Sequence, residues 1–281
     1  MIKMCCYYKR DNKYINIIEE LNIVHTTETI KDLFSFLKTH PKQRINLCIS
    51  DIDKAYQEDI FNLISKLEER DNLVIRLPKD NRQPINEKLQ NQLKSLNLPF
   101  YYTEVASDWD ILNGLIAQGV TDVFVGNNLG FELDKVAAVA KQANVRIRVY
   151  PNVAQSTWNG SDSIIKFFIR PEDLILYSKY VDCFEIYELP DNKLTNAAFL
   201  YETYKLQKQW LGDLQALIIG LREPIDNRLL DDQWGSSRIK CGKRCAKGES
   251  CHICQLLLEM SDKMSDKEKQ MNRFLTKRLY S

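Results

Sequence analysis

The alternation of short apolar runs with segments of helical spacing predicts an α/β fold for this 281-residue chain, a (β/α)8 barrel of the TIM type. Three observations lead there. Seven short runs rich in β-branched and aromatic residues are each bounded by polar or turn residues, as buried strands are. Between most of them apolar residues recur at a period of 3.6, the mark of a helix with one buried face. No glycine-rich phosphate fingerprint follows any run, which weakens the open, dinucleotide-binding alternative.

The strand runs fall at 45–49, 73–77, 100–105, 123–125, 145–150, 164–169 and 183–187, with an eighth expected at 4–8 or 22–25. Helices are expected at 29–39, 58–69, 110–118 and 132–143, and Gly119 reads as the cap that ends the third of these. Parallel strands need crossover connections, so strand–helix alternation implies a parallel sheet. Eight units in roughly 200 residues suit a closed barrel. The barrel is assigned to residues 1–190 and a helical extension docked on it to 191–281. That extension opens with one or two helices over 194–220, followed by a polar loop and a group of cysteines.

Composition sets the class: 44% apolar and 27% charged residues are ordinary for a globular protein. The net charge of +1 provides no global field for nucleic acid, but it is unevenly spread. From Arg238 to the C-terminus there are eleven Lys or Arg against five Asp or Glu, so that segment stands at +6 and the rest of the chain at −5. A basic tail on an acidic body points to local contact with a polyanion, and a solvated helix is the plainer alternative. The start of the chain lacks the apolar core of a secretory signal, and no run reaches the length of a membrane helix. The expected place is therefore the cytoplasm, a cell's own or that of a virus-infected host, where clustered cysteines serve as ligands rather than disulfides.

Cys241, Cys245, Cys251 and Cys254 follow one another with three, five and two residues between them. Four thiolates so spaced can surround one ion tetrahedrally, which points to zinc, with an iron–sulfur cluster as the alternative. Lys240, Lys243, Arg244 and Lys247 flank the site, offset its negative charge, and are the candidate phosphate contacts. With every position filled by protein the site is structural, so chemistry belongs elsewhere.

In a barrel of this type, chemistry sits where the strands end. Polar residues at those ends include Asp51, Asp53, Glu104, Gly126, Asn127, Asn152, Arg170 and Glu185. Aspartates such as Asp108 and Asp173 read equally well as helix caps. Glu185 lies inside the apolar run Cys183-Phe184-Glu185-Ile186-Tyr187, and a carboxylate there needs partners or a function.

Arg170-Pro171-Glu172-Asp173-Leu174 followed by Tyr180-Val181-Asp182-Cys183-Phe184-Glu185 resembles the late-barrel segment of the tRNA-guanine transglycosylases. Gly119-Val120-Thr121-Asp122-Val123-Phe124-Val125-Gly126 looks like that family's glycine-terminated strand, and Ser250-Cys251-His252-Ile253-Cys254-Gln255 like the end of its zinc motif. Order and spacing agree over residues 119–260. The resemblance implies a barrel enzyme that exchanges a guanine-class base, 7-deazaguanine chemistry included, in tRNA or in DNA, as in phage relatives of the family. It implies Glu185 as the carboxylate nucleophile and Asp51 or Asp53 as the proton-exchanging acid. Glu104, Gly126, Asn127, Asn152 and Arg170 would form the substrate site. Three departures stand out: glutamate replaces the family's nucleophilic aspartate, its C-x-C pair is replaced by Cys241 and Cys245, and its Asp-Ser-Gly-Gly-Phe-Gln signature is missing. The collagenase-like peptidase and RNA-hydroxylase barrels are similar over the same stretches, carry a glutamate at the position of Glu185, and imply an iron–sulfur cluster. A third expectation is a barrel that binds nucleic acid, or belongs to a virion, and has lost catalysis.

Overall fold

The structure is a computed structural model that describes residues 4–8, 20–24, 44–48, 62, 65, 73–77, 87–126, 128–154, 167–187, 200, 203–221, 225–230, 233–239 and 241. They form an α/β structure, a curled sheet of parallel strands with helices between them. The strands are β1 (Met4–Tyr8), β2 (Glu20–Val24), β3 (Arg44–Cys48), β4 (Leu73–Leu77), β5 (Phe100–Ala106), β6 (Asp122–Val125), β7 (Arg146–Val149) and β8 (Cys183–Ile186). Each pairs in parallel with the next in chain order, and β1 pairs on its other edge with β8, Cys5 opposite Glu185.

Period-2 alternation decides what faces where. In β4, Leu73, Ile75 and Leu77 join a large outer core beneath the helices, whereas Val74 joins an inner cluster with Tyr101, Phe124 and Tyr150. Along β6, Val123 and Val125 go to the outer core and Phe124 to the inner cluster. In β8, Phe184 and Ile186 are outer, which puts Cys183 and Glu185 on the inner face. All residues of β4, β6 and β8 are buried, as strands covered on both faces must be.

The helices have readable ends. Helix α1 (Glu87–Ser95) precedes β5. In α2 (Trp109–Ala117), Asp108 accepts a hydrogen bond from the Ile111 amide at 2.9 Å, and Gly119 closes the helix at φ +78°. Left-handed backbone of that kind is open to glycine at little cost, so the expected cap is in place. Helix α3 (Leu133–Gln142) buries Leu133, Val136 and Ala140 against the sheet, and α4 (Leu174–Tyr177) leads towards β8. No helix among the described residues is long and apolar enough to cross a membrane.

Two expectations are corrected. Both 4–8 and 20–24 are strands, whereas 167–169 is not a rung of the sheet: β7 pairs directly with β8. The buried Phe167, Phe168 and Ile169 instead pack beside β7, the Ile169 amide donating to the Pro151 carbonyl at 3.0 Å. An apolar run can be buried by packing alone, which hydropathy does not distinguish from a ladder. Within the helices expected over 194–220, residues 206–221 are turns around one 3-10 turn, Leu214–Ala216. Gln207 at φ +50° interrupts a helix, and Asp213 accepts from the Gln215 amide at 3.0 Å, an alternative to helical bonding.

This extension packs on the sheet. The Tyr204 hydroxyl donates to Ile169 O at 3.0 Å, and the stretch at Val153 pairs with Ile219. Helix α5 (Trp234–Ile239) follows, with Arg238 buried among the rings of Phe131, Phe168 and Trp234 at 4.7, 5.3 and 4.8 Å. Cation–π contacts shielded from solvent contribute about 2 kcal/mol or more, so this residue helps hold α5 to the core.

Candidate functional site

The inner face carries charge where an ordinary core would carry only hydrocarbon. Arg76 from β4, Asp122 from β6, Arg148 from β7 and Glu185 from β8 are each at most 2% exposed. They form a chain of alternating sign. Arg146, at the start of β7, donates to Asp122 Oδ1, and Arg148 Nε donates to the same oxygen at 2.8 Å. Arg148 Nη1 lies 3.6 Å from Glu185 Oε2, and Arg76 Nη1 donates to Glu185 Oε1 at 2.8 Å. The second arm of Arg76, Nη2, donates to the Tyr150 hydroxyl at 2.6 Å. Four strands are thereby joined across the inside of the curl.

Aromatic rings enclose this chain. The Arg148 guanidinium lies 4.4 Å from the Tyr101 ring centre and that of Arg76 5.6 Å from Phe124. Phe124 stacks on Tyr150 at 4.3 Å and 7°, and Tyr187 meets Tyr150 edge-on at 5.6 Å and 88°. Burial alone would raise the pKa of Asp122. The guanidiniums of Arg148 and Arg146, with hydrogen bonds from Arg146 and Thr121, outweigh it and hold the carboxyl below its ordinary value.

The residues expected at the site fall into three groups. Glu185 is on the inner face, fully buried, with a guanidinium against each carboxylate oxygen. Glu104 is half-buried on β5 within the register shift between Tyr101 and Val105, the kind of irregularity that re-aims a strand side chain. Gly126 is buried at the end of β6, its amide donating to Ala106 O at 3.3 Å. Glu104 and Gly126 thus lie towards the C-terminal ends of β5 and β6.

Asn152 and Arg170 are committed to the scaffold. Asn152 donates through Nδ2 to Tyr187 O at 2.7 Å and accepts at Oδ1 from Tyr187 N at 2.9 Å, continuing the β7–β8 ladder with a side chain. Arg170 donates to both oxygens of Asp173, at 2.6 and 2.9 Å, and its Nη1 reaches Asn227 Oδ1 at 3.2 Å and Leu230 O at 3.3 Å. It fastens the extension to the segment before α4. Asp173, read as a cap, makes no capping bond.

Asp51, Asp53, Asn127, Cys245, Cys251, Cys254, Lys240, Lys243, Arg244 and Lys247 lie outside the described residues. Cys241 is a half-buried free thiol just after α5, its amide donating to Arg238 O at 3.1 Å. Among the described residues, no group of three or more His, Cys, Asp or Glu could hold a metal ion.

Arg76, Asp122, Arg148 and Tyr150 are not among the residues expected from strand ends: Arg76, Asp122 and Arg148 lie within strands and Tyr150 directly after one. The signal was available: Leu-Val-Ile-Arg-Leu and Val-Arg-Ile-Arg-Val each place arginine inside an apolar strand, as Glu185 is placed in its own. Opposite charges in neighbouring buried strands are candidates to pair.

No family model matches the chain, and no curated protein matches it.

Proposed function

We propose that this chain is a complete (β/α)8 barrel that binds nucleic acid at the mouth and basic tail, with Glu185 serving as an internal ion-pair partner rather than a nucleophile. The carrying observation is the state of Glu185: fully buried, with Arg76 and Arg148 against its two oxygens. A nucleophile must bring a lone pair within about 3–3.5 Å of the reacting carbon. Here Oε1 accepts a hydrogen bond from Arg76 and Oε2 lies 3.6 Å from the Arg148 guanidinium, and the Phe124–Tyr150–Tyr187 rings pack around the same region. Closure of the barrel is supported by the β1–β8 pairing. The nucleic-acid part rests on the +6 tail and on the resemblance of residues 119–260 to the transglycosylases.

The second reading keeps the enzyme. It is favoured by the position of Glu185 on the strand where those enzymes carry their nucleophilic aspartate, and it requires the carboxylate to leave Arg76 and attack the sugar C1′ as the C1′–N bond breaks and the base departs with a proton from an acid. Labelled tRNA and single-stranded DNA, incubated with the protein and radioactive guanine, separate the two. The binding-barrel reading predicts retention of nucleic acid with no incorporated label and no adduct on a denaturing gel. Incorporation or an adduct that disappears in Glu185→Gln would establish the enzyme.

The four cysteines would hold zinc as a structural clamp for the tail, a donor set of thiolates with no open position for chemistry. Elemental analysis and colour decide between metals: a brown protein absorbing near 400 nm (about the range of sulfur-to-iron charge transfer) would replace zinc by an iron–sulfur cluster.

A further inference from the structure

We propose that Glu20 on β2 and Arg44 on β3 form a second acid–arginine clamp at the start of the strands, the counterpart of Asp122 on β6 and Arg146 on β7. The first residues of the eight strands, in chain order, are Met4, Glu20, Arg44, Leu73, Phe100, Asp122, Arg146 and Cys183. Charge thus falls on two pairs of neighbouring strands, each time an acid followed by an arginine, and the second pair comes four strands after the first.

Register makes the two pairs equivalent. Glu20 is the parallel partner of Arg44 as Asp122 is of Arg146. Partners in a parallel ladder stand on one face of strands about 4.8 Å apart, within the reach of two long side chains. Two routes place this pair on the inner face. Glu20 is in register with Cys5, which is in register with the inward Glu185. Arg44 stands four residues before Cys48, which is in register with Arg76, the inward partner of Glu185, and alternate residues of a strand share a face. For Asp122 and Arg146 the result of such a placement is visible, since Arg146 Nη2 donates to Asp122 Oδ1. A charge on a covered face needs a partner, and register gives Glu20 and Arg44 one of opposite sign. The two pairs differ in one respect. Arg148, two residues after Arg146, also donates to Asp122 Oδ1 at 2.8 Å, whereas two residues after Arg44 stands Asn46. The clamp at β2 and β3 is therefore the weaker. Its consequence for motion rests on the closed-barrel reading. In a ring of eight strands the two clamps stand on opposite sides and hold the strand starts together, so an opening that admits a ligand is confined to the strand ends.

Double-mutant cycles on the full chain, read by thermal melting, test the clamp. Glu20→Gln, Arg44→Gln and the double variant are compared with Asp122→Asn, Arg146→Gln and their double. Each single substitution in β2 or β3 should lower the melting temperature by about 3–8 °C. The double should lower it by no more than the larger single, because the second change removes a charge that the first left uncompensated. Exchanging the two residues, Glu20→Arg with Arg44→Glu, should recover much of that loss. Additive losses, or single variants that melt with the wild type, overturn the inference. Amide hydrogen exchange of Met4–Tyr8 tests the reading beneath it. Protection close to that of β6 supports closure, whereas exchange at the rate of an unfolded chain overturns the closed barrel, whatever the cycles give.

Discussion

At the scale of single residues, the inner chain of charges has consequences for stability that can be signed. Breaking a buried pair by removing one partner typically costs about 3–5 kcal/mol, because the other charge is left without compensation. Arg148→Met should therefore lower stability by roughly that amount, since the guanidinium bridges Asp122 and Glu185; urea unfolding at neutral pH measures it. Asp122 adds a pH dependence. Its folded pKa lies below the unfolded value of about 3.9, so its contribution is present above that pH and is lost as pH falls through the folded pKa. Below about pH 4 the wild type should lose stability more steeply than Asp122→Asn, and identical acid profiles for the two would contradict this assignment. Tyr204 behaves in the opposite sense: burial, with Glu172 and Asp173 adding, raises its pKa well above the ordinary range. Its contribution is present below about pH 10 and falls as pH rises beyond it, so Tyr204→Phe should flatten the alkaline limb of the stability curve.

Among elements, α5 shows how much depends on close approach. A Cβ built on Gly235 would lie 2.5 Å from Asp173 Oδ1, and that carboxylate is held in place by two bonds from Arg170. Gly235→Ala should then cost about 1–3 kcal/mol, the usual price of overpacking, read as a shift in melting temperature. Elements with strict periodicity were legible in the sequence. The runs at 73–77 and 183–187 became β4 and β8, and Asp108 and Gly119 bounded α2 as cap chemistry requires. What could not be read was tertiary. Phe167, Phe168 and Ile169 carry the pattern of a strand, yet their burial comes from packing beside β7 and against Trp234. Residues 206–221 carry apolar residues at helical spacing, yet Asp213 and Gln207 set local turns. In the candidate site, Glu185 is legible from its place in an apolar run, while its partners are not, because pairing across the inner face joins residues 109 apart in the chain. Asn152 and Arg170 sit near strand ends, as expected, but their hydrogen bonds serve neighbouring backbone and the extension.

At the scale of the whole molecule, a charged interior among aromatic rings is followed in the sequence, after α5, by a basic tail. If Lys240, Lys243, Arg244 and Lys247 contact phosphates, replacing all four by Ala should reduce the slope of log affinity against log salt by about 3, at roughly 0.7 per contact with single strands. An unchanged slope would remove the tail from the interface. The central claim concerns Glu185, and Glu185→Gln tests it most directly through two readings on one protein: thermal melting, and affinity for single-stranded RNA and DNA 20-mers. The account predicts melting lowered by several degrees, about 2–4 °C per kcal/mol for a chain of this size, with nucleic-acid affinity kept within about twofold below the melting range. Unchanged melting would contradict the claim, because removing one charge of a buried ion pair must cost stability.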